Sequence, residues 1–226
     1  MYKIALDGPP GTGKSTLAKK VAERMKIRYL DSGAIYRAFT LFCLLNEVET
    51  EDEEKVREAL ADFDFALTES SVELNGLDCS DEIRKSYVSN NVWRIAANRD
   101  VRAFIINYCR KFAEDNSVIM DGRDIGTEVF PETPYKFYVV ANLDIRTQRR
   151  QKELKEKGEL VDFEELKKMI TEREESEKNR PVSPLRKHED AIEIDTSDRS
   201  VEELADDLIA QVERIERDLE HADHSC

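Results

Sequence analysis

Apolar residues follow two rhythms along the chain. Short, mostly apolar runs at positions 2–7, 27–32, 117–121, 135–141 and 191–195 read as core strands. Between them, apolar residues recur at helical spacing. Leu17, Val21 and Met25 form one stripe; Ile35, Phe39, Phe42 and Leu45 form another, with Asp31 or Ser32 available as its cap. A third stripe, Leu204, Leu208, Val212 and Ile215, predicts a closing helix over 201–219. The middle of the chain breaks this order. Phe63, Phe65 and Leu67 alternate, Val72 and Leu74 follow, and Asn75-Gly76 then precedes Leu77, which is a hairpin signal. A small antiparallel sheet inserted into a βαβ chain is expected there, followed by helices over 88–97 and 101–112. The acidic stretch 47–58 reads as a solvated loop and helix start. From Asp144 the chain is helical and highly charged, broken at Gly158 and closed by Pro181 and Pro184. Rich in charge and poor in core residues, that hairpin has the composition of a lid.

The candidate chemistry starts at the first strand–helix junction. Gly8, Pro9, Pro10, Gly11, Thr12, Gly13, Lys14 and Ser15 form a complete phosphate loop, with Thr16 opening the helix. Glycines let the backbone wrap a polyphosphate with amide N–H groups pointing inward. Lys14 can reach the β- and γ-phosphates of ATP, and the Ser15 hydroxyl can ligate Mg²⁺. The helix N-terminus adds the positive end of its dipole. A plain Gly-Pro turn before a surface helix would need none of these residues in this order.

Composition narrows the ligand. The 226 residues suffice for one α/β domain with small insertions, and 40% hydrophobic content is ordinary for a globular chain. No run approaches the ~20 apolar residues of a membrane span. The N-terminus enters a strand directly, so no signal peptide is read. Cys43, Cys79, Cys109 and Cys226 show no C-x-x-C pair, and reduced packing cysteines in a cytoplasmic protein are expected. Residues 221–226 carry metal-ligand types at no ordinary site spacing and read as a frayed end. The net charge of −14 repels nucleic acid and anionic membranes.

An anionic ligand therefore needs cations gathered locally. Arg37, Arg123, Arg173 and Arg180 join Lys14 as candidates, Asp121 ends an apolar strand where it can meet Mg²⁺, and Arg146 and Arg150 are candidates to hold adenine. Phosphoryl transfer needs alignment, dryness and positive charge on the equatorial oxygens more than covalent help. A GTPase switch is disfavoured because no Asn-Lys-x-Asp segment is present. A kinase for another small acceptor keeps the loop and lid but does not need the inserted sheet. A non-catalytic nucleotide-binding protein does not need paired lid arginines.

The chain resembles the bacterial-type cytidylate kinases from Ile4 through the last helix. The matching runs are the phosphate loop, residues 30–37 (Leu-Asp-Ser-Gly-Ala-Ile-Tyr-Arg), residues 120–127 (Met-Asp-Gly-Arg-Asp-Ile-Gly-Thr) with Val129-Phe130-Pro131, Asn179-Arg180 with Pro184-Leu185, and Asp190-Ala191-Ile192 with Ile194-Asp195. The resemblance implies an α/β fold with a five-stranded parallel sheet, a monophosphate-binding insert over 58–97 and a lid over 151–186. The core would then be 1–57, 98–150 and 187–220. It implies transfer of the γ-phosphoryl group of ATP to CMP or dCMP with Mg²⁺, by a monomer; UMP or another small phosphate acceptor is the alternative. It places Arg37, Arg123 and Arg173 on the monophosphate, Ser32, Arg102 and Asp124 around the cytosine pocket, and positions 177 and 180 near ribose and phosphates, with Tyr36 a further substrate-binding candidate. Three departures stand out: Glu177 where aspartate is usual, Cys109 where glutamine is common, and Trp93 where a small hydroxyl residue is expected. Trp93 reads as packing inside the insert, with a place in the monophosphate pocket as the competing reading.

Overall fold

The computed structural model describes residues 1–68, 71–156 and 158–223. The chain forms two compact units. The first comprises Met1–Leu30, Asp115–Asn179 and the stretch from Ser183 onward; the second comprises Asp31–Glu114 and Arg180–Val182.

The first unit is built on a parallel sheet of β1 (Lys3–Asp7), β2 (Arg28–Asp31), β6 (Val118–Gly122), β7 (Lys136–Val140) and β8 (Ile192–Asp195), in the order β2-β6-β1-β7-β8. β1 is central because Ile4, Ala5 and Leu6 are fully buried and can only sit between neighbours. In register, Leu6 stands beside Asp121 on β6 and Phe137 on β7. α1 (Lys14–Met25) and α9 (Val201–Asp223) pack together, and Leu17, Val21, Leu204, Leu208 and Val212 join Ile4, Leu6, Ile119, Phe137 and Val139 in one core. The ends of β1 and β6 therefore open at one edge of the sheet, where open α/β sheets bind ligands. α7 (Leu143–Glu156) and α8 (Phe163–Asn179) form a pair with its own small cluster of Leu154, Leu166 and Ile170. Gly158 takes a left-handed φ of 81° between them.

In the second unit, α2 (Ser32–Leu45) is capped by Asp31, whose side chain accepts from the Ala34 amide at 2.9 Å. α3 (Glu53–Ala59) follows the acidic loop. The small sheet is present as β3 (Phe65–Leu67), β4 (Val72–Leu74) and β5 (Leu77–Asp78), all antiparallel. Asn75 and Gly76 both have positive φ, as a two-residue hairpin turn requires. Phe63 stacks on Phe65 at 4.6 Å and meets Phe39 edge-on at 4.9 Å, which fastens the sheet to α2.

Several expected boundaries move. The helix expected over 88–97 is two pieces, α4 (Ser86–Ser89) and α5 (Val92–Ala97). Asn91 interrupts it by spending its side-chain amide on the Tyr87 carbonyl. α6 (Arg99–Phe112) starts earlier than expected because the Asn98 side chain caps the Asp100 and Val101 amides. α9 runs on to Asp223, so the expected fray at 221 is helix; residues 224–226, with Cys226, lie outside the described residues. Trp93 does not pack inside the insert: α5 buries Val92 and Ile95 one turn apart, leaving Trp93 half exposed under the Arg94 guanidinium, 4.8 Å away. Cys43, Cys79 and Cys109 are buried free thiols, as expected.

Candidate active site

The loop between β1 and α1 is shaped by close backbone approach. A Cβ on Gly8 would lie 2.2 Å from the Val139 carbonyl oxygen, so only glycine lets β7 pass there. Gly13 has φ 82° and caps α1 in the left-handed region. The end of β8 braces the loop from outside. The Thr196 hydroxyl donates to the Thr12 carbonyl at 2.7 Å, and Arg149 donates to the Thr196 hydroxyl at 3.1 Å and carbonyl at 2.6 Å. Arg146 is buried beside the loop, donating to the Pro10 carbonyl at 3.3 Å, the Ala141 carbonyl at 3.1 Å and the Glu174 carboxylate at 2.7 Å. Arg150 lies at the surface, paired with Glu153 at 3.0 Å.

Lys14 is folded over the loop. Its Nζ donates to the Pro9 carbonyl at 2.7 Å and to the Thr12 hydroxyl at 3.3 Å. Burial, then the Arg123 charge, pull its ammonium down to about 7, against the opposing pull of Asp121, Glu177 and Asp7. Two carboxylates from neighbouring strands flank it. Asp7 accepts from the Ile125 and Gly126 amides at 2.8 and 2.7 Å, one on each oxygen. Those amides open a π-helical turn, Ile125–Val129, which follows β6. Burial outweighs these bonds and raises the Asp7 carboxyl to about 7, with Asp124 adding repulsion. Asp121 accepts from the Ser15 hydroxyl at 2.8 Å and from the Tyr29 hydroxyl at 2.6 Å.

This Ser15–Asp121 contact suits Mg²⁺, a hard cation that takes one or two protein oxygens and fills its other positions with water and phosphate. Among the described residues no group of three or more His, Cys, Asp or Glu forms an all-protein metal cage.

A second cluster of charge lies in the same unit. Glu177 on α8 accepts from Arg123 Nε at 2.6 Å and from Arg173 Nε at 3.1 Å. Arg123 also donates to the Gly122 carbonyl at 3.2 Å. Desolvation works against the Glu177 carboxylate, yet Arg123 and Arg173 together hold it down at about 2. The electrostatic reach of Arg123 and Glu177 to Lys14 joins this cluster to the loop. Asp124 is buried directly after Arg123.

The second unit holds its own group of expected residues. Ser32 is buried at the start of α2, and Arg37 one turn on donates to the Gly33 carbonyl at 3.4 Å. Arg102 is almost fully buried, stacks on the Tyr36 ring at 5.4 Å and donates to the Ala96 carbonyl at 2.9 Å. Arg180 groups with this unit. Lys14, Ser15, Asp121, Arg123, Arg173 and Glu177 thus share the first unit, whereas Ser32, Tyr36, Arg37 and Arg102 share the second.

Sequence reasoning passed over Asp7, Arg149, Glu174 and Thr196. Asp7 left one signal, a charged residue closing an otherwise apolar strand directly before the loop. The other three become visible only once β8 and α7–α8 are placed.

No described helix is long and apolar enough to cross a membrane. The family model described as cytidylate kinase matches residues 4–214. The cytidylate kinase of Clostridium botulinum (strain Loch Maree / Type A3) is 39% identical over 211 residues, covering 93% of this chain and 97% of that protein. The cytidylate kinase of Caldanaerobacter subterraneus subsp. tengcongensis is 44% identical over 204 residues, 90% of this chain and 91% of that protein. A solved structure of an uncharacterized protein from Eubacterium ventriosum shares the fold at 16% identity, with a TM-score of 0.52 over 94% of this chain and 99% of that one. On the family match across nearly its whole length and these full-length relatives, the chain belongs to the cytidylate kinase family.

Proposed function

We propose that the protein transfers the γ-phosphoryl group of ATP to CMP or dCMP. A phosphate oxygen of the acceptor forms a bond to the γ-phosphorus as the bond to the β–γ bridging oxygen breaks, giving CDP or dCDP and ADP. The observation that carries this reading is the presence of two charge clusters in one unit: Lys14 with Ser15–Asp121 at the loop, and Arg123 with Arg173 around Glu177. Donor and acceptor phosphates together carry a large negative charge, and a single lysine would leave most of it uncompensated.

Lys14 swings from the Pro9 carbonyl to the β- and γ-phosphates of ATP, while the loop amides hold the polyphosphate. Ser15 and Asp121 would hold Mg²⁺, which would supply positive charge to offset that of the transferring phosphoryl group. Arg123 and Arg173 grip the acceptor phosphate, and Arg37 and Arg180 are further candidates for phosphate binding. Ser32 and Arg102 are candidates for base contacts, with Tyr36 a further substrate-binding candidate. A carboxylate at Asp124 accepts from the cytosine amino group, which uracil lacks, and so favours CMP over UMP. Residues 151–186 act as the lid that excludes water, with residues 58–97 as the monophosphate-binding insert. The protein works as a cytoplasmic monomer on small nucleotides rather than on nucleic acid or membrane. Its acidity supports this assignment, because only a local cation cluster can attract an anion to a chain of net charge −14.

A coupled ADP-release assay with ATP and CMP, dCMP, UMP, AMP or GMP tests the reading. Turnover is expected with CMP and dCMP and much less with the others. Turnover confined to UMP or a purine monophosphate would overturn the cytosine assignment.

A further inference from the structure

Glu177 has chemistry of its own. Its carboxylate is only 11% exposed and bridges two guanidiniums, Arg123 at 2.6 Å and Arg173 at 3.1 Å. The Arg123 partner is 54 residues away in sequence; Arg173 lies one helical turn back on α8. A carboxylate between two arginines occupies the position that a phosphate group gripped by the same arginines would take. We propose that Glu177 is an internal anion that reserves the Arg123–Arg173 pair, excluding inorganic phosphate and other simple anions while admitting a nucleoside monophosphate. The inference rests on reading this arginine pair as the acceptor-phosphate grip.

Bare, the two guanidiniums would repel one another, and the Glu177 charge removes that repulsion. Asp121 and Asp7 also draw on Arg123, Lys14 faces the Arg123 charge, and Arg150 adds repulsion at Arg173. Because Glu177 is tethered to α8, it competes at a high effective concentration. A free anion must displace it, or share the pair with it, on the strength of its own charge alone. A nucleoside monophosphate brings base and sugar contacts as well, and these offset the cost of moving the carboxylate. The filter has a purpose in any compartment where inorganic phosphate is abundant, since an open arginine pair would be occupied most of the time.

Glu177→Gln keeps the shape and removes the charge; its amide nitrogen also faces one of the two arginines with a donor instead of an acceptor. The test measures inorganic phosphate as a competitive inhibitor against CMP in the full-length protein. In E177Q the inhibition constant is expected to fall about tenfold or more. A merely loosened site would bind phosphate more weakly, so a structural defect moves this readout the other way. E177D keeps the charge but draws the carboxylate back by one methylene, which weakens its hold on the two arginines, and a smaller fall is expected. If E177Q does not fold, E177D decides alone: a fall supports the proposal and an unchanged constant overturns it. An unchanged or raised constant in folded E177Q, with CMP still phosphorylated, overturns the anion filter and leaves the kinase reading intact. Failure of the unsubstituted protein to phosphorylate CMP would overturn the kinase reading instead.

Discussion

The edge of the parallel sheet and the α7–α8 pair both carry site residues, but they are held by different forces. At the sheet edge, Lys14, Ser15 and Asp121 are continuous with strands and a helix whose apolar residues are almost wholly buried. Among the described residues, the α7–α8 pair has Leu154, Leu166 and Ile170 as its buried apolar centre, with Leu143 and Val161 alongside. Ion pairs do much of its fastening: Lys167 with Asp144 at 2.6 Å, Arg146 with Glu174 at 2.7 Å, and Arg123 with Glu177. The exposed Lys167–Asp144 pair contributes little, typically ~0–1 kcal/mol, and the two buried pairs spend much of their attraction on desolvation, so with so small an apolar centre this pair of helices belongs to the low-stability end of the unit. The difference teaches how one unit can be both rigid and adaptable. Donor-phosphate groups sit where burial fixes them, and Arg173 and Glu177 sit where charge fixes them. Charge can be renegotiated by an incoming anion; a packed core cannot.

The largest break should come at the rigid end. Lys14→Ala is expected to lower kcat by more than ~10³, with circular dichroism and melting unchanged in form. Near-normal turnover in that variant would detach the loop from the chemistry. Arg123→Ala should cost ~10²–10³ in kcat/KM and also leave Glu177 buried against Arg173 alone. A loss no larger than that of an exposed arginine would mean that the two clusters do not act together. Next come the cores. Leu208→Ala in the main core should cost ~2–5 kcal/mol of unfolding free energy by denaturant titration. Leu166→Ala should cost less globally while amide protection is lost first along α8, read by hydrogen exchange. Uniform loss across the whole chain would erase the contrast between the two regions.

The smallest effect is in pH. The Asp7 carboxyl is raised from 3.8 to about 7, so the folded protein keeps a proton that the unfolded chain releases. Its contribution makes stability fall as pH rises from about 4 to 7. Lys14 is lowered from 10.5 to about 7, so the unfolded chain holds the extra proton above that pH, and stability rises from about 7 to 10. Glu177 works at the acid end: its stabilisation is present above 4.5 and is lost as pH falls toward 2. Denaturant midpoints across pH should dip near neutrality, and Asp7→Asn should flatten the limb between 4 and 7. A monotonic profile in the unsubstituted protein would contradict the burial of this carboxylate–lysine pair.

Much of the site was legible in the sequence because it is local. The phosphate loop needs glycines, a lysine and a hydroxyl within a few residues of one strand, and Asp121 and Arg123 follow a strand that declares itself by its apolar run. The Asn75-Gly76 turn announced the small sheet for the same reason. Trp93 misled because an aromatic residue suggests a core, whereas the short α5 had room to bury only Val92 and Ile95. Asp7 went unnoticed because nothing in its neighbours in sequence reveals that Ile125 and Gly126 will supply amides to both of its oxygens.

The sequence alone determined the order of strands and helices, the identity of the phosphate loop and the family, since these depend on residues close together in the chain. Tertiary structure alone decided the bridging of Arg123 and Arg173 by Glu177, the bracing of the loop by Thr196 and Arg149, and the displaced proton affinities of Asp7 and Lys14. Charge pairing and desolvation depend on distance and burial in space, and sequence separation encodes neither.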